Sequence, residues 1–420
     1  MDRTLRRNVI ALGADFGLYL VGLSFASPTT ILPAFASHLG APNVVIGAIP
    51  AVMTAGWFVP SLFAAGHTER LARKLPFVLR YTAWERVPFL VLVPVAFFVA
   101  DRAPGIALAL LLLLLVVIAV VGGVLMPAWM DVVGRAVPLG IRGRFFALAN
   151  LIGSAGGLLG SAATAYALAA VAPPRGYGFC FLGAAIFMAL SYVALALVDE
   201  PPGTARPATP GLAQYLRRVP ALLAADRNFT AFLLARALAV VGTMASGFYT
   251  VYALGYFSPP EWQIGVFTSF LIAGQVAGTL LFGWLADRTG HRLGLLVGVA
   301  AGVVANALAL TAVSLPMFTP VFFLLGASTS SVMISGLSVL LEFAPTVEDR
   351  PTYVGIGNTA IGSVSLVAPL AGGVMADTVG FAPIFVVAAL FGAAGFALLT
   401  RVRDPRSLPP VVEATSIVAS

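Results

Sequence analysis

The chain has 420 residues, of which 60% are hydrophobic and 10% are charged, and its mean hydropathy is +0.98. Soluble domains average about 45–50% apolar and about 25% charged residues. The composition therefore excludes an ordinary soluble domain and predicts an integral membrane protein. The single cysteine, Cys180, excludes a disulfide framework and a cysteine-based zinc site.

Twelve apolar segments of roughly 18 or more residues are long enough to cross a bilayer. The sequence between segments six and seven, DEPPGTARPATPGLAQYLRRVPALLAADRN, is rich in Pro, Ala and Arg and is typical of a linker. The pattern predicts an all-α membrane protein of two six-helix bundles, 1–198 and 228–400, joined by a linker at 199–227 and followed by a tail at 401–420. The segments lie near 9–35, 43–66, 77–100, 104–129, 144–172, 177–198, 228–256, 262–285, 293–314, 317–341, 352–376 and 380–400.

Basic residues alternate between the two sides of the predicted membrane. The amino terminus, the even-numbered loops with the segment ends that adjoin them, and the tail hold 20 of the 24 Lys and Arg residues, whereas the odd-numbered loops hold only Arg102 and Arg175. The positive-inside rule then predicts a multi-pass protein of the inner (plasma) membrane with both termini and the linker cytoplasmic. The alternation also accounts for the pI of 9.9 without a nucleic-acid partner, and no basic–aromatic patch is present.

The two halves resemble each other when the sequence is shifted by about 220 residues. RNVIALGADFG at 7–17 matches RNFTAFLLARA at 227–237, and IRGRFFALAN at 141–150 matches DRPTYVGIGN at 349–358. GWLADRTGHR at 283–292 has a degraded first copy, AAGHTERLARK at 64–74. Twofold duplication of a six-helix unit is typical of secondary transporters.

GWLADRTGHR, between segments eight and nine, resembles the loop signature of the major facilitator superfamily, G-x-L-a-D-R-x-G-R-[RK]. Twelve segments in two sixes with both ends cytoplasmic are similar to that family across essentially the whole chain. The resemblance implies a twelve-helix secondary transporter that alternates access to a central site. The first copy departs from the signature, since Glu69 replaces the acid and the glycine is missing.

The resemblance also implies a gate at the cytoplasmic loops, in which the acid of one half docks on the opposite half. Asp287 is then expected to meet the start of segment five, and Glu69 the start of segment eleven, near Arg350 and Tyr353. A carboxylate near a helix amino terminus gains roughly 0.3–1 kcal/mol from the unpaired amides. The alternative is that these are only loop charges. The predicted gate residues are Asp287, Arg288, Arg292, Glu69, Arg70, Lys74, Arg142, Arg144 and Arg350.

Four ionisable residues lie too deep to be loop charges. The uncharged run from Val87 to Ala100 covers only about 21 Å, so Glu85 and Arg86 lie below the interface, and a structural ion pair or snorkelling is favoured for them. Asp15 and Arg236 lie at nearly equal depth in segments one and seven. Because intramembrane charges are costly and by default functional, we expect Asp15 and Arg236 to face or pair across the cavity, with Asp15 as the proton carrier. The alternative is a structural pair, or an Arg236 that reaches an acid of the linker.

Neutral polar residues are candidates for a cavity lining. Ser328, Ser331, Ser335 and Ser338 follow helical spacing along one face, although close packing of small residues explains them equally well. In segment seven, helical spacing also places three tyrosines along one face, namely Tyr249, Tyr252 and Tyr256. Of these, Tyr256 is typical of an interfacial aromatic belt. Pro28 in SPTT predicts a kink in segment one. The predicted lining residues are Thr29, Thr30, Tyr249, Tyr252, Gln275, Ser328, Ser331, Ser335, Asn150 and Asn358.

The sequence offers no P-loop, no hydrolytic constellation and no metal spacing among its three histidines. We therefore expect a protein that is not an enzyme and that binds no cofactor and no metal. We expect a monomer in the lipid bilayer, in which an ion or solute gradient drives transport. A mostly apolar cavity with few polar anchors favours proton-coupled export, by antiport, of a small hydrophobic or amphipathic solute. Metabolite uptake is the runner-up, and a transporter-like protein that binds a pigment, lipid or partner without turnover is the alternative from another class.

Overall fold

The structure is a computed structural model that describes residues 3–68, 70–201, 219–220, 222–344 and 350–404. Glu69, most of the predicted linker and nearly all of the tail lie outside these ranges, and the side chain of Arg350 is not described either. The described residues form helices and connecting turns, with no strand among them.

The helices follow the predicted segments closely, because each long apolar run satisfies its backbone hydrogen bonds internally, as a bilayer requires. Segments one, seven and ten each consist of two helices. The helices are α1 Arg3–Phe25, α2 Ile31–His38, α3 Asn43–Thr68, α4 Leu75–Pro94, α5 Pro104–Ala136, α6 Leu139–Ala170, α7 Arg175–Ala196, α8 Arg227–Val241, α9 Phe248–Phe257, α10 Gln263–Thr289, α11 His291–Thr311, α12 Leu315–Phe318, α13 Pro320–Phe343, α14 Arg350–Val379 and α15 Phe381–Arg401.

In the part of the chain that the structure describes, eleven helices are long and apolar enough to cross a membrane. The remaining predicted segment, the seventh, is split into α8 and α9, of 15 and 10 residues, by turns over 242–247. Segment one is broken at the corresponding place, since α1 ends at Phe25 and α2 begins at Ile31 around Pro28. The break at Pro28 agrees with the predicted kink.

The helices pack as two pseudo-symmetric bundles of six segments. Within the first bundle the most extensive contacts join α3 to α5 and α1 to α6 and α7; within the second they join α13 to α10 and α11. Two pairs, α3 with α14 and α6 with α10, make the extensive contacts between the bundles.

The buried cores show that the bundles separate at one end. We call the end that carries Arg7 and the 283–292 loop the basic face, and the opposite end the far face. Towards the far face one continuous apolar core includes Phe35 of the first bundle and Phe248 of the second. Towards the basic face there are two separate cores, one in each bundle. A cleft between the bundles therefore opens to the basic face and closes at the far face.

Candidate functional site

The cleft is closed at the far face by close packing of helices across the bundles. A Cβ added at Gly47 of α3 would clash with the carbonyl oxygen of Pro369 in α14. A Cβ at Gly265 of α10 would lie 2.6 Å from the backbone of Ala165 in α6. Only glycine permits these approaches, since any side chain would force the two bundles apart.

Hydrogen bonds between the bundles reinforce this closed end of the cleft, which we call the seam. Asp377, near the end of α14, accepts hydrogen bonds from the backbone N–H groups of Asn43 at 2.9 Å and Val44 at 3.0 Å, at the start of α3. A carboxylate is favourable there because it satisfies unpaired amides and meets the positive end of the helix dipole. Tyr177 also donates to Glu261 across the seam at 2.7 Å.

Three of the predicted amides lie where the bundles part. A Cβ at Gly157 of α6 would touch Ile272 of α10 at 3.3 Å. Asn150 lies two turns before Gly157, and Gln275 lies one turn after Ile272, so both share the inter-bundle face of their helix.

Asn358 has the same relation to the other inter-bundle contact. It precedes Gly362 of α14 by one turn, and a Cβ at Gly362 would lie 3.4 Å from Phe58 of α3. All three amides are half-buried and lie on the basic-face side of the closed seam. These positions put them at the apex of the cleft, and their role as its polar lining stays a prediction.

The structure places the threonine candidates in the seam instead of an open cavity. The hydroxyls of Thr30 and Thr268 are 2.7 Å apart across the bundles. The carbonyl of Thr29 accepts a hydrogen bond from Thr250 at 3.0 Å. Both predicted residues therefore help to close the far face in this conformation.

The serine candidates do not line the cleft, which corrects the prediction. Ser331 donates to the carbonyl of Gly294 in α11 at 2.8 Å, and Cβ atoms at Gly294 and Gly302 would meet Ser335 and Ser328. All three serines are buried against α11. Small side chains on both helices allow a close approach, which is the packing explanation.

The tyrosine candidates also turn away from the cleft. Tyr249 is buried, donates to Asn306 of α11 at 2.9 Å and stacks on Phe385 at 5.5 Å. Tyr252 packs against Phe385 and stacks on Tyr256, which is 63% exposed. They belong to an aromatic cluster inside the second bundle near the far face.

Asp15 lies in a buried polar cluster inside the first bundle. Its Oδ1 accepts hydrogen bonds from Arg86 Nη2 at 2.8 Å and from Ser191 Oγ at 2.6 Å. Its Oδ2 accepts one from the indole N–H of Trp129 at 2.9 Å. Asp15 and Arg86 are 2% and 7% exposed. The pairing of Asp15 with Arg236 that the sequence suggested is therefore wrong in this conformation, because Arg86 occupies the carboxylate.

Glu85 completes this cluster. It accepts a hydrogen bond from the hydroxyl of Tyr19 at 2.8 Å and another from Thr82 at 3.2 Å. Its Oε2 is also 3.5 Å from Arg86 Nη1, although neighbours in sequence point to different sides of a helix and were not expected to meet. The cluster joins four helices of the first bundle, α1, α4, α5 and α7.

Arg236 occupies the matching depth of the second bundle with far fewer partners. It is 6% exposed and donates from Nη1 to the carbonyl of Gly336 in α13 at 3.1 Å. Its Nε is buried without a hydrogen-bond partner among the described residues, and no carboxylate of these residues forms an ion pair with it. Its guanidinium therefore lies within its own bundle.

The described gate residues contact only their own bundle. Lys74 pairs with Asp131 at 2.5 Å, Arg142 donates to the carbonyl of Gly134 at 2.6 Å, and Arg292 donates to that of Thr400 at 2.6 Å. Arg288 lies over the ring of Trp284. This is the arrangement expected of a released gate, and docking across the bundles stays a prediction.

Three further gate residues are exposed at the basic face, namely Asp287, Arg70 and Arg144. No described residue hydrogen-bonds or ion-pairs with Asp287. Glu69 lies outside the described residues, as does the side chain of Arg350, so their predicted contact is not described.

Sequence reasoning missed several partners that the structure brings together. Trp129 and Ser191 lie more than 100 residues from Asp15, so only the folded bundle unites them. Asp377 lies near a predicted helix end. A carboxylate at that position was the one signal in the sequence that could have pointed to its contact with α3.

Comparison with known proteins agrees with this architecture. A family profile, Major Facilitator Superfamily, matches residues 232–419. Two fungal relatives, both described as MFS-type transporter ppzB, match in part. The one from Metarhizium rileyi (strain RCEF 4871) is 32% identical over 160 residues, which is 36% of this chain and 32% of the relative. The one from Metarhizium majus (strain ARSEF 297) is 30% identical over 158 residues, 36% of this chain and 34% of the relative. The matched segment thus spans about a third of each relative.

Solved structures match over nearly the whole chain at low identity. A D-xylose–proton symporter has a TM-score of 0.70 at 12% identity and covers 95% of this chain and 98% of its own. A bacterial homolog of the human lysosomal transporter Spinster, inward-facing and occupied, has a TM-score of 0.69 at 14% identity, covering 96% and 98%. A mutant of the nucleoside transporter NupG has a TM-score of 0.69 at 13% identity, covering 95% and 99%.

The fold, the cleft and these matches define a multi-pass membrane protein with the architecture of a secondary transporter. Residues 232–419 match the Major Facilitator Superfamily profile, which confirms the resemblance seen in the sequence. The matched relatives and structural neighbours named above are described as transporters. The apolar helices of membrane-spanning length agree with a bilayer environment.

Proposed function

We propose that the chain exports a small hydrophobic or amphipathic solute across the inner membrane in exchange for protons. The observation that supports the proposal is a cleft between the bundles together with a buried cluster of carboxyl groups in the first bundle. The cleft apex offers three amides among apolar side chains, whereas the charged groups around Asp15 lie inside the first bundle. A solute with a large apolar surface and a few hydrogen-bonding groups fits such a site.

The orientation of the proposed transport cycle follows from charge. The described ends of the chain, Arg3 and Asp404, lie at the basic face, which the positive-inside rule assigns to the cytoplasm. The conformation described here is then inward-facing. Its residues 1–198 and 228–400 act as the two moving units, the linker 199–227 and the tail 401–420 lie in the cytoplasm, and a single copy suffices for transport.

The gate residues are proposed to close the cleft in the other half of the cycle. Asp287, exposed here, docks at the start of α6 near Arg142 and Arg144 when the cytoplasmic side closes. Asp377 releases α3 at the same time, so that one carboxylate–helix contact replaces another. Asp287→Asn should therefore slow transport, and full-rate transport by that variant would contradict the gating scheme.

The first experiment is a proton-gradient assay in everted membrane vesicles that contain the protein. Lipophilic cations, antibiotics, sugars and organic acids are added in turn, with Asp15→Asn vesicles alongside. A matched control is Asp199→Asn, because Asp199 forms an exposed ion pair with Arg7 away from the cluster. We expect at least one amphipathic compound to dissipate the gradient with wild type and Asp199→Asn, but not with Asp15→Asn.

Each outcome of that assay has a meaning. Equal dissipation by all three proteins would remove Asp15 from coupling. No dissipation by any compound, where a known antiporter responds, would overturn proton-coupled export and leave uptake, another coupling ion or binding without transport.

A further inference from the structure

The buried cluster in the first bundle has an unequal charge count. Asp15 and Glu85 are two carboxyl groups, whereas Arg86 is the one cation in contact with them, and no other charged side chain of a described residue from α1, α3, α5 or α7 joins it. Ionising both carboxyl groups would leave a net negative charge in a region that excludes water. Such a charge is costly enough that a buried group neutralises by taking up a proton instead.

The hydrogen bonds of Asp15 fit an ionised carboxylate. Both oxygens accept, one from Arg86 and one from Trp129, and guanidinium and indole groups can only donate. Ser191 accepts from Arg86 at 3.0 Å, which leaves its own hydrogen for Asp15. A proton on Asp15 would have to displace one of these donors.

Glu85 differs because its partners are hydroxyl groups. Thr82 accepts from Arg86 and so donates its hydrogen to Oε2, but the Tyr19 hydroxyl at Oε1 can either donate or accept. A carboxylic acid at Glu85 can therefore donate from Oε1 to Tyr19 and keep every contact. The nearest approach of Arg86 to Glu85, 3.5 Å, is also longer than its 2.8 Å approach to Asp15.

A second feature adjoins the same oxygen. A Cβ at Gly122 of α5 would lie 2.8 Å from Glu85 Oε1 and 3.0 Å from Trp57 Nε1. The indole N–H of Trp57 is buried and has no hydrogen-bond partner among the described residues. It is a spare donor beside Oε1, available to an ionised Glu85, and the next residue on α3, Phe58, lies at the cleft apex.

We propose that the exchangeable proton resides on Oε1 of Glu85, while Asp15 stays ionised and paired with Arg86. Loss of the proton turns Oε1 from a donor to Tyr19 into an acceptor, and Trp57 supplies the compensating hydrogen bond. Because Trp57 belongs to α3, which forms part of the seam, protonation and the position of α3 are coupled. This inference rests on the proposed function only for its role in transport; the site of the proton is independent of it.

Infrared spectroscopy of the purified full chain in lipid bilayers tests the site of the proton without any substrate. A buried protonated carboxyl group gives its own C=O band. We expect this band at neutral pH in wild type. It should shift when glutamate carboxyl carbons are labelled with carbon-13, be unmoved by the same label in aspartate, and be absent from Glu85→Gln.

The labelling keeps the test valid even if Glu85→Gln fails to fold, since the labelled wild type is unaltered. A shift on aspartate labelling would place the proton on Asp15 and overturn the inference. Absence of any protonated carboxyl band at neutral pH would overturn it as well, because the cluster would then hold no proton.

Transport separates this inference from the proposed function. In the vesicle assay with the lipophilic cation tetraphenylphosphonium and the other panel compounds, Glu85→Gln should lose coupling as completely as Asp15→Asn. If wild type is coupled and Glu85→Gln remains equally coupled, the inference fails while the proposed function stands. If wild type itself is uncoupled, the proposed function fails, and the infrared result still decides where the proton lies.

Discussion

The two bundles bury charge at the same depth in opposite ways. The first surrounds Arg86 with two carboxyl groups and several hydroxyl groups, whereas the second gives Arg236 a backbone carbonyl. A duplicated scaffold thus keeps its helix packing while its polar interior diverges. The difference teaches that a buried charge at a repeated position is defined by its partners and not by its depth.

Removing the guanidinium should give the largest contrast between the bundles. Arg86→Met leaves two carboxyl groups without their cation, and breaking a buried pair costs about 3–5 kcal/mol. Arg236→Met removes a charge with which no described carboxylate pairs, so its effect should be near zero or stabilising. Thermal unfolding of the two variants in the same detergent compares them directly. Equal losses would mean that Arg236 has a partner beyond the carbonyl of Gly336.

A matched pair of serines gives the next largest effect. Ser191 donates to the carboxylate of Asp15, and a hydrogen bond to a charged group contributes about 1.5–3 kcal/mol. Ser331 donates to the neutral carbonyl of Gly294, for which about 0.5–1.5 kcal/mol is usual. We expect Ser191→Ala to lower the unfolding temperature more than Ser331→Ala. The reverse order would argue against an ionised Asp15.

Two glycines sharpen the same comparison through packing. A Cβ from Gly122→Ala falls 2.8 Å from Glu85 Oε1, and one from Gly336→Ala falls 2.6 Å from Arg236 Nη2. Overpacking costs about 1–3 kcal/mol where neighbours cannot move. The carboxyl group of Glu85 is held by several hydrogen bonds and cannot move aside. The guanidinium of Arg236 is held by one hydrogen bond and can move. Gly122→Ala should therefore destabilise the protein more, as measured by urea or thermal unfolding.

The two ends of the cleft also differ in how their carboxylates are paired. Asp377 at the far face is hydrogen-bonded to the start of α3, whereas Asp287 at the basic face has no described partner. We expect the smallest change in stability here. Asp377→Ala removes the cap of α3, worth about 0.5–2 kcal/mol, and should open the far face. Spin labels at Arg102→Cys and Val313→Cys, one on each bundle, would report a longer distance. Asp287→Asn should leave that distance unchanged, because Asp287 has no described partner here. A longer distance with Asp287→Asn would show that it acts on this conformation too.

Much of the fold follows from local sequence. Among the described residues, eleven of the predicted segments are long apolar helices, because a bilayer leaves a long apolar run few other structures. The loop 283–292 and the internal repeat are enough to indicate the family. The seventh segment was predicted as one helix, but its turns at 242–247, rich in Gly and Ser, divide it.

The candidate site was predicted only in part. Asn150, Gln275 and Asn358 lie at the cleft apex, whereas Ser331 and Tyr249 are packed inside the second bundle. Helical spacing identifies which residues share a face, but it does not say which neighbour that face meets. The same limit applied to Asp15, whose depth was evident although its partner was not.

The sequence by itself determined that the chain crosses a membrane many times, that it is a duplicated six-segment unit and that four ionisable residues are buried. These follow from hydrophobicity, periodicity and charge, which are properties of the chain taken a few turns at a time. Only the tertiary structure decided that Arg86 pairs with Asp15, that no described carboxylate pairs with Arg236 and that the cleft closes at the far face. Each depends on contacts between helices distant in sequence, where a few ångströms of helix rotation choose the partner.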